Sequence, residues 1–221
     1  MARFGRQERN EFMLQGITAP ATYALILINV IVTGYDFFID NRLNDRFDLD
    51  VDRVLRKGEW YRLITSGFIH GNQIHILFNM VTLYFFGPVV EAYLGIGPFL
   101  ILYFGSELAA NALTLLVKRG QRGYSSLGAS GAISGVLLSA CLFQPFNKIF
   151  IMPIPIGIPA IIYAIGYIGY STFQVAEDTR DGTAHEAHLG GALAGIAFTL
   201  LFQPDVLHSF LAQFGGGFGG G

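Results

Sequence analysis

Six stretches of this chain stay apolar for about 15 to 20 residues at a time, and that pattern leaves the backbone little choice. Hydrocarbon offers no water to peptide N–H and C=O groups, so a crossing segment must close its own hydrogen bonds as a helix. The spans read as Pro20 to Phe38, Ile74 to Tyr93, Phe99 to Val117, Ser126 to Phe143, a shorter fifth starting near Pro159, and Glu186 to Phe202. Composition agrees. Hydrophobic residues make up 52% of the chain and charged residues 14%, with a mean hydropathy of +0.47, where soluble domains carry about a quarter charged residues. The expected fold is an all-α membrane protein, a six-transmembrane-helix bundle. Its core spans 20–203, between an N-terminal tail, 1–19, and a Gly-rich C-terminal tail, 204–221, that is expected to be mobile.

Asp40 to Arg62 is the most highly charged part of the chain, with Phe47, Leu49, Val54 and Trp60 interleaved. It reads as a long amphipathic loop between the first two spans, carrying short helices at the membrane interface. No compact signal-peptide pattern precedes the first span, so that span is expected to be retained as an anchor. No basic block suggests nucleic acid as a partner. Pro153, Pro155 and Pro159 delay the fifth helix, and Gln174 to Thr183 reads as a polar loop.

Ser126-Leu127-Gly128-Ala129-Ser130-Gly131-Ala132-Ile133-Ser134-Gly135 opens the fourth span. Glycine and serine serve tight packing between membrane helices, and a serine at a helix start with close backbone on both sides also suits a nucleophile. The surroundings decide between these. With six alternating spans, the starts of spans two, four and six face one side of the membrane. That gathers His70, His75, Ser130, His185 and His188 at one depth. Ionisable groups in a membrane are costly and mark function by default. His75 and Asn79 share a helix face, four residues apart, and can donate hydrogen bonds to a developing oxyanion. The Ser130 amide adds the positive end of its helix. A neutral His188 can take the Ser130 proton and return it to the leaving amine. No carboxylate is placed to orient that histidine, so the arrangement is a Ser/His dyad.

Trp60-Tyr61-Arg62, His70-x4-His75-x3-Asn79, Gly128-Ala129-Ser130-Gly131 and Ala187-His188-Leu189-Gly190-Gly191 occur in the order, and on the spans, of rhomboid intramembrane serine proteases, a family this chain resembles from Trp60 to Phe202. The resemblance implies Ser130 as nucleophile, His188 as base, and His75, Asn79 and the Ser130 N–H as oxyanion stabilisers. Of Ser126, Ser130 and Ser134, only Ser130 stands between Gly128 and Gly131 in the family's pattern. Supporting roles are implied for Gly128, Gly131 and His70, for Trp60 and Arg62 as loop anchors, and for Glu91 in holding helix ends. The fifth span would be a lateral gate. Many members carry an aromatic residue one turn after the nucleophile, stacked on the histidine; here that position is Ser134.

The expected activity is serine-type endopeptidase cleavage of single-span membrane protein substrates within the lipid bilayer, with no cofactor and no metal. His185-Glu186-Ala187-His188 has one residue too few between Glu and the second His for a zinc protease helix. A hydrolase nucleophile elbow needs a strand before the serine, where this sequence shows a polar linker. Two rival readings are a catalytically silent client-binding relative and a histidine-lined proton-coupled transporter. The resemblance puts the N-terminus inside and the site on the extracytoplasmic side; a prokaryotic plasma membrane is expected from the economy of a core with no added soluble domain. Loop charge points the other way: outside Arg3, Arg6, Arg9 and Lys148, ten of the fourteen Lys and Arg residues lie on the site's side.

Overall fold

The computed structural model describes residues 18–150, 156–176 and 184–215. Helix α1 (Pro20–Phe38) leads into a loop that holds α2 (Leu43–Phe47), strand β1 (Leu49–Asp50), α3 (Val51–Lys57), α4 (Arg62–Thr65) and a 3₁₀ turn at Ser66–Phe68. Then come α5 (Gln73–Leu94), α6 (Ile96–Lys118), β2 (Ser125–Ser126), α7 (Ser130–Phe143), a hairpin of β3 (Lys148–Phe150) and β4 (Gly157–Pro159), α8 (Ala160–Ala176), α9 (His185–Phe202) and α10 (Val206–Gly215).

Among the described residues, α1, α5 and α6 are each long and apolar enough to cross a membrane. The pair α9 and α10, bent by 104°, makes a fourth candidate. Helices α7 and α8 are apolar but shorter. At 1.5 Å per residue the 14 residues of α7 reach about 21 Å, less than the hydrocarbon core. The bundle is centred on α7, whose residues from Gly131 to Cys141 are all buried. Apolar side chains of α1, α5, α6 and α7 pack as one cluster, including Leu83, Phe99, Leu102 and Val136.

Two boundaries differ from the hydropathy reading. The fourth helix begins at Ser130, not Ser126, because Gly128 adopts φ +113°, and Ser125–Ser126 pairs antiparallel with Leu49–Asp50. The polar linker thus carries a two-residue strand, which pins the first loop to the segment entering α7. Residues 206–215 of the expected mobile tail are helical, with the Phe214 ring 4.9 Å from that of Phe146. The N-terminal tail up to residue 17, most of the loop before His185 and the last six residues lie outside the described residues.

The first loop is built around Arg62, which is fully buried. Its guanidinium donates to Glu59 Oε2 at 2.7 Å and to both the carbonyl and Oδ1 of Asp48, each at 2.7 Å. The bond from Arg62 holds the Glu59 carboxyl below the usual range, whereas burial raises that of Asp48 despite the same neighbour. Trp60 does not pack into the protein here, being 57% exposed, whereas Leu49, Val51 and Val54 of the same loop are buried in a cluster with Leu115. Asp50 caps α3 by accepting from the Arg53 N–H, and Gly58 closes the helix at φ +73°.

Helix α1 starts at Ala19-Pro20 with no cap of its own. The cap comes from Glu91, at the far end of α5, which accepts from the N–H groups of Ala21 (3.0 Å) and Thr22 (2.8 Å) and from the Thr22 hydroxyl (2.7 Å). An anion at a helix N-terminus satisfies orphan donors and opposes the dipole. Glu91→Ala removes all three bonds and is expected to lower stability by about 2 kcal/mol. Thermal unfolding in detergent reads this as a melting point several degrees below wild type, and an unchanged melting point contradicts it.

Candidate active site

Ser130 is the first residue of α7, and the chain reaches it through a turn fixed on three sides. The Gly128 N–H donates to the Ser66 carbonyl at 2.9 Å. The His75 ring lies against Gly128 so closely that a Cβ there would sit 2.5 Å from its Cε1, and φ +113° independently favours glycine. The Ala129 N–H points to His70 Nε2 at 3.5 Å. Nε2 accepts there, so the proton of His70 is on Nδ1, which reaches the Thr33 hydroxyl at 3.0 Å. Thr33 in turn donates to the Phe68 carbonyl. His70 is wholly buried and acts as a strut from α1 to the turn before Ser130.

His75 lies in the first turn of α5, where Asn72 caps the helix by accepting from the His75 N–H at 2.8 Å. Its ring stands edge-on to that of His70, centroids 5.1 Å apart. Asn79, one turn further, is buried, and its Nδ2 has no hydrogen-bond partner in the structure. A buried amide donor without a partner is costly.

His188 is reached through a helix crossing. Helices α7 and α9 touch backbone to backbone: a Cβ on Gly191 would fall 2.0 Å from the Gly131 carbonyl oxygen, and one on Gly195 2.3 Å from that of Gly135. Gly131 follows Ser130 directly, and Gly191 lies three residues after His188. A Cβ on Gly131 would also stand 3.7 Å from the carbonyl of Ala187, the neighbour of His188. The crossing therefore brings the starts of both helices to one place. His185 is the buried first residue of α9, its ring edge-on to His188 at 6.1 Å.

Three contacts escape the sequence. Glu107 of α6 caps α7, accepting from the Ala132 N–H at 3.0 Å and from Asn111 Nδ2 at 3.0 Å. A small cavity beside Ser130 is lined by this carboxylate together with Ser66, Asn111 and Gly128. The Tyr124 hydroxyl donates to Glu186 at 2.8 Å, tying the α6–α7 connection to the start of α9. Tyr167 of α8 stacks on His188. For Glu107 and Asn111 the sequence shows polar groups on an apolar span, a signal of interhelical bonding without an address. Tyr167 is one aromatic among many, and no local signal marks it. Among the described residues no three His, Cys, Asp or Glu side chains converge as a metal-binding group.

The chain matches the Rhomboid domain over residues 57–204. It is 31% identical over 165 residues to RHOMBOID-like protein 4 of Arabidopsis thaliana, covering 71% of this chain and 38% of that protein. It is 33% identical over 114 residues to the putative rhomboid protease YdcA of Bacillus subtilis, covering 52% and 48%. Rhomboid protease GluP of the same bacterium is 30% identical over 149 residues, covering 67% and 27%. The chain thus spans half or less of the length of these relatives.

Proposed function

The chain belongs to the rhomboid family of membrane proteins, and from that premise we propose that it is a serine endopeptidase that cuts membrane protein substrates at or within their transmembrane segments. The observation that carries the reading is the glycine-on-glycine crossing of α7 and α9, which joins the helix starts bearing Ser130 and His188.

In the proposed reaction Ser130 Oγ attacks the scissile carbonyl while His188 takes its proton, and the same proton then leaves with the amine. The oxyanion is held by the Ser130 amide at the α7 N-terminus, His75 and the partnerless Asn79 Nδ2. Water, entering by the polar cavity beside Ser130, hydrolyses the acyl-enzyme with His188 as base. The chain's own residues suffice, and no cofactor enters the reaction. Residues 20–203 form the six-span core in this proposal, with α7 and α8 as the two short spans, α8 as the lateral gate and Trp60 reaching into the lipid interface. A prokaryotic plasma membrane with the site opening outward is the proposed setting, and a single-span protein whose helix unwinds readily is the proposed substrate.

The test is cleavage of such a substrate in liposomes by wild type, Ser130→Ala and His188→Ala. Cutting by the wild type alone supports the dyad. Equal cutting by either variant removes it. A folded wild type that binds the substrate without cutting it supports the silent client-binding reading instead.

A further inference from the structure

His188 has a neighbour that neither the motifs nor the resemblance assigns. The ring of Tyr167, on α8, stacks on the His188 imidazole with centroids 6.0 Å apart and planes 26° from parallel. Tyr163, one turn earlier, stacks on Tyr167 in the same way at 5.9 Å and 23°, so three rings form a row. The Tyr167 hydroxyl lies 2.5 Å from Ser134 Oγ. The single proton of Ser134 is already committed, because Oγ donates to the Ser130 carbonyl at 2.6 Å. A serine hydroxyl has one proton and two lone pairs, so the tyrosine must be the donor. The bonds run from Tyr167 O–H to Ser134 Oγ, and from Ser134 O–H to the carbonyl of Ser130.

One side chain on a third helix thus stacks on the histidine with its face and, through the Ser134 hydroxyl, is linked to the Ser130 carbonyl. The second torsion of a histidine is broad and roughly two-fold, so the helix backbone alone does not choose which way the imidazole faces. A stacked ring supplies that choice. We infer that Tyr167 is the positioning residue of this site, setting the plane of His188 relative to Ser130, and that Ser134 is its anchor. The inference rests on the Ser130/His188 reading. It also explains why a serine suits position 134: a hydroxyl there receives a ring delivered from α8, where a bulky side chain on α7 would occupy the same space. The orientation of His188 accordingly depends on the seating of α8 as well as on the edge-on His185 ring of its own helix.

The test compares steady-state cleavage by Tyr167→Ala, Tyr167→Phe, Ser134→Ala and the Tyr167→Phe/Ser134→Ala double variant, normalised to folded protein, with Ser130→Ala alongside. Loss of an aromatic contact and of orientation at a reacting group predicts that Tyr167→Ala lowers kcat by about tenfold to a hundredfold with KM within about twofold. Tyr167→Phe keeps the ring and is expected to retain kcat within about threefold. Ser134→Ala cuts the same hydrogen bond, so the double variant should lose no more than the worse single one. A purely structural role would instead lower the folded fraction and leave kcat per folded molecule intact. Wild-type kcat in Tyr167→Ala, a Phe variant as slow as the Ala variant, or losses that add fully in the double variant each overturn the inference. If Ser130→Ala still cuts, the serine protease reading falls and the positioning role with it. A silent Ser130→Ala beside a fully active Tyr167→Ala removes the positioning role alone.

Discussion

Ser130→Ala is expected to reduce cleavage of a single-span substrate by at least about 10⁴-fold, to the limit of detection, while the protein folds and melts as wild type. The size of the effect follows from the chemistry. Without Oγ there is no acyl-enzyme, and water must attack the peptide directly with only the oxyanion donors to help. The fold should tolerate the change, because Ser130 is only partly buried and its carbonyl, which receives the Ser134 hydroxyl, remains. His188→Ala should lose a comparable factor, since the two residues act as one unit and their losses do not add. A transporter using the histidines as a proton path predicts the opposite contrast, with His188→Ala harmful and Ser130→Ala neutral. Cleavage gels read over several orders of enzyme concentration separate the two.

Gly191→Ala is expected to be the most damaging small change away from the reacting groups. The added methyl would lie 2.0 Å from the Gly131 carbonyl oxygen, a backbone atom that cannot rotate aside. Helices α7 and α9 must therefore part by about 1 Å or more where they carry Ser130 and His188. Overpacking of this kind costs about 1–3 kcal/mol, and a 1 Å misplacement of reacting groups costs on the order of 100-fold in rate. Gly195→Ala meets the Gly135 carbonyl at 2.3 Å and should behave similarly. Gly34→Ala is the control: nothing lies within 4 Å of its added Cβ, and alanine favours a helix. Melting curves and cleavage rates on the three variants check this, and a Gly191→Ala protein with wild-type rate would show that the crossing does not set the spacing.

Hydropathy located the long helices well, because a lipid-facing span must be apolar along its whole length. Pro20 to Phe38 coincides with α1, and α5 and α6 extend the expected spans by one to three residues. Hydropathy failed where backbone conformation decides. Ser126 and Leu127 continue the small and apolar run, but the positive φ of Gly128 and the pairing with Leu49–Asp50 hold them outside α7. The β3–β4 hairpin was hidden for a related reason, since Pro153, Pro155 and Pro159 announce a break without saying what fills it. At the site, spacing on one helix was readable, as for His75 and Asn79. Contacts between helices were readable only where small residues mark them, as at Gly131 and Gly191. Glu107 was visible as a buried polar group, but its target, the Ala132 N–H, belongs to a helix packed beside it. Tyr167 is the extreme case. Ser134 left the histidine without an aromatic neighbour in the sequence, and the structure supplies one from α8.

The most direct test of a nucleophile at Ser130 is covalent capture. Wild-type protein in detergent is treated with a fluorophosphonate, digested, and the adduct located by peptide mass spectrometry. One adduct on Ser130, absent after denaturation and greatly slowed in His188→Ala, is the predicted result. An adduct on Ser126 or Ser134, or undiminished labelling of Ser130 without His188, would contradict it.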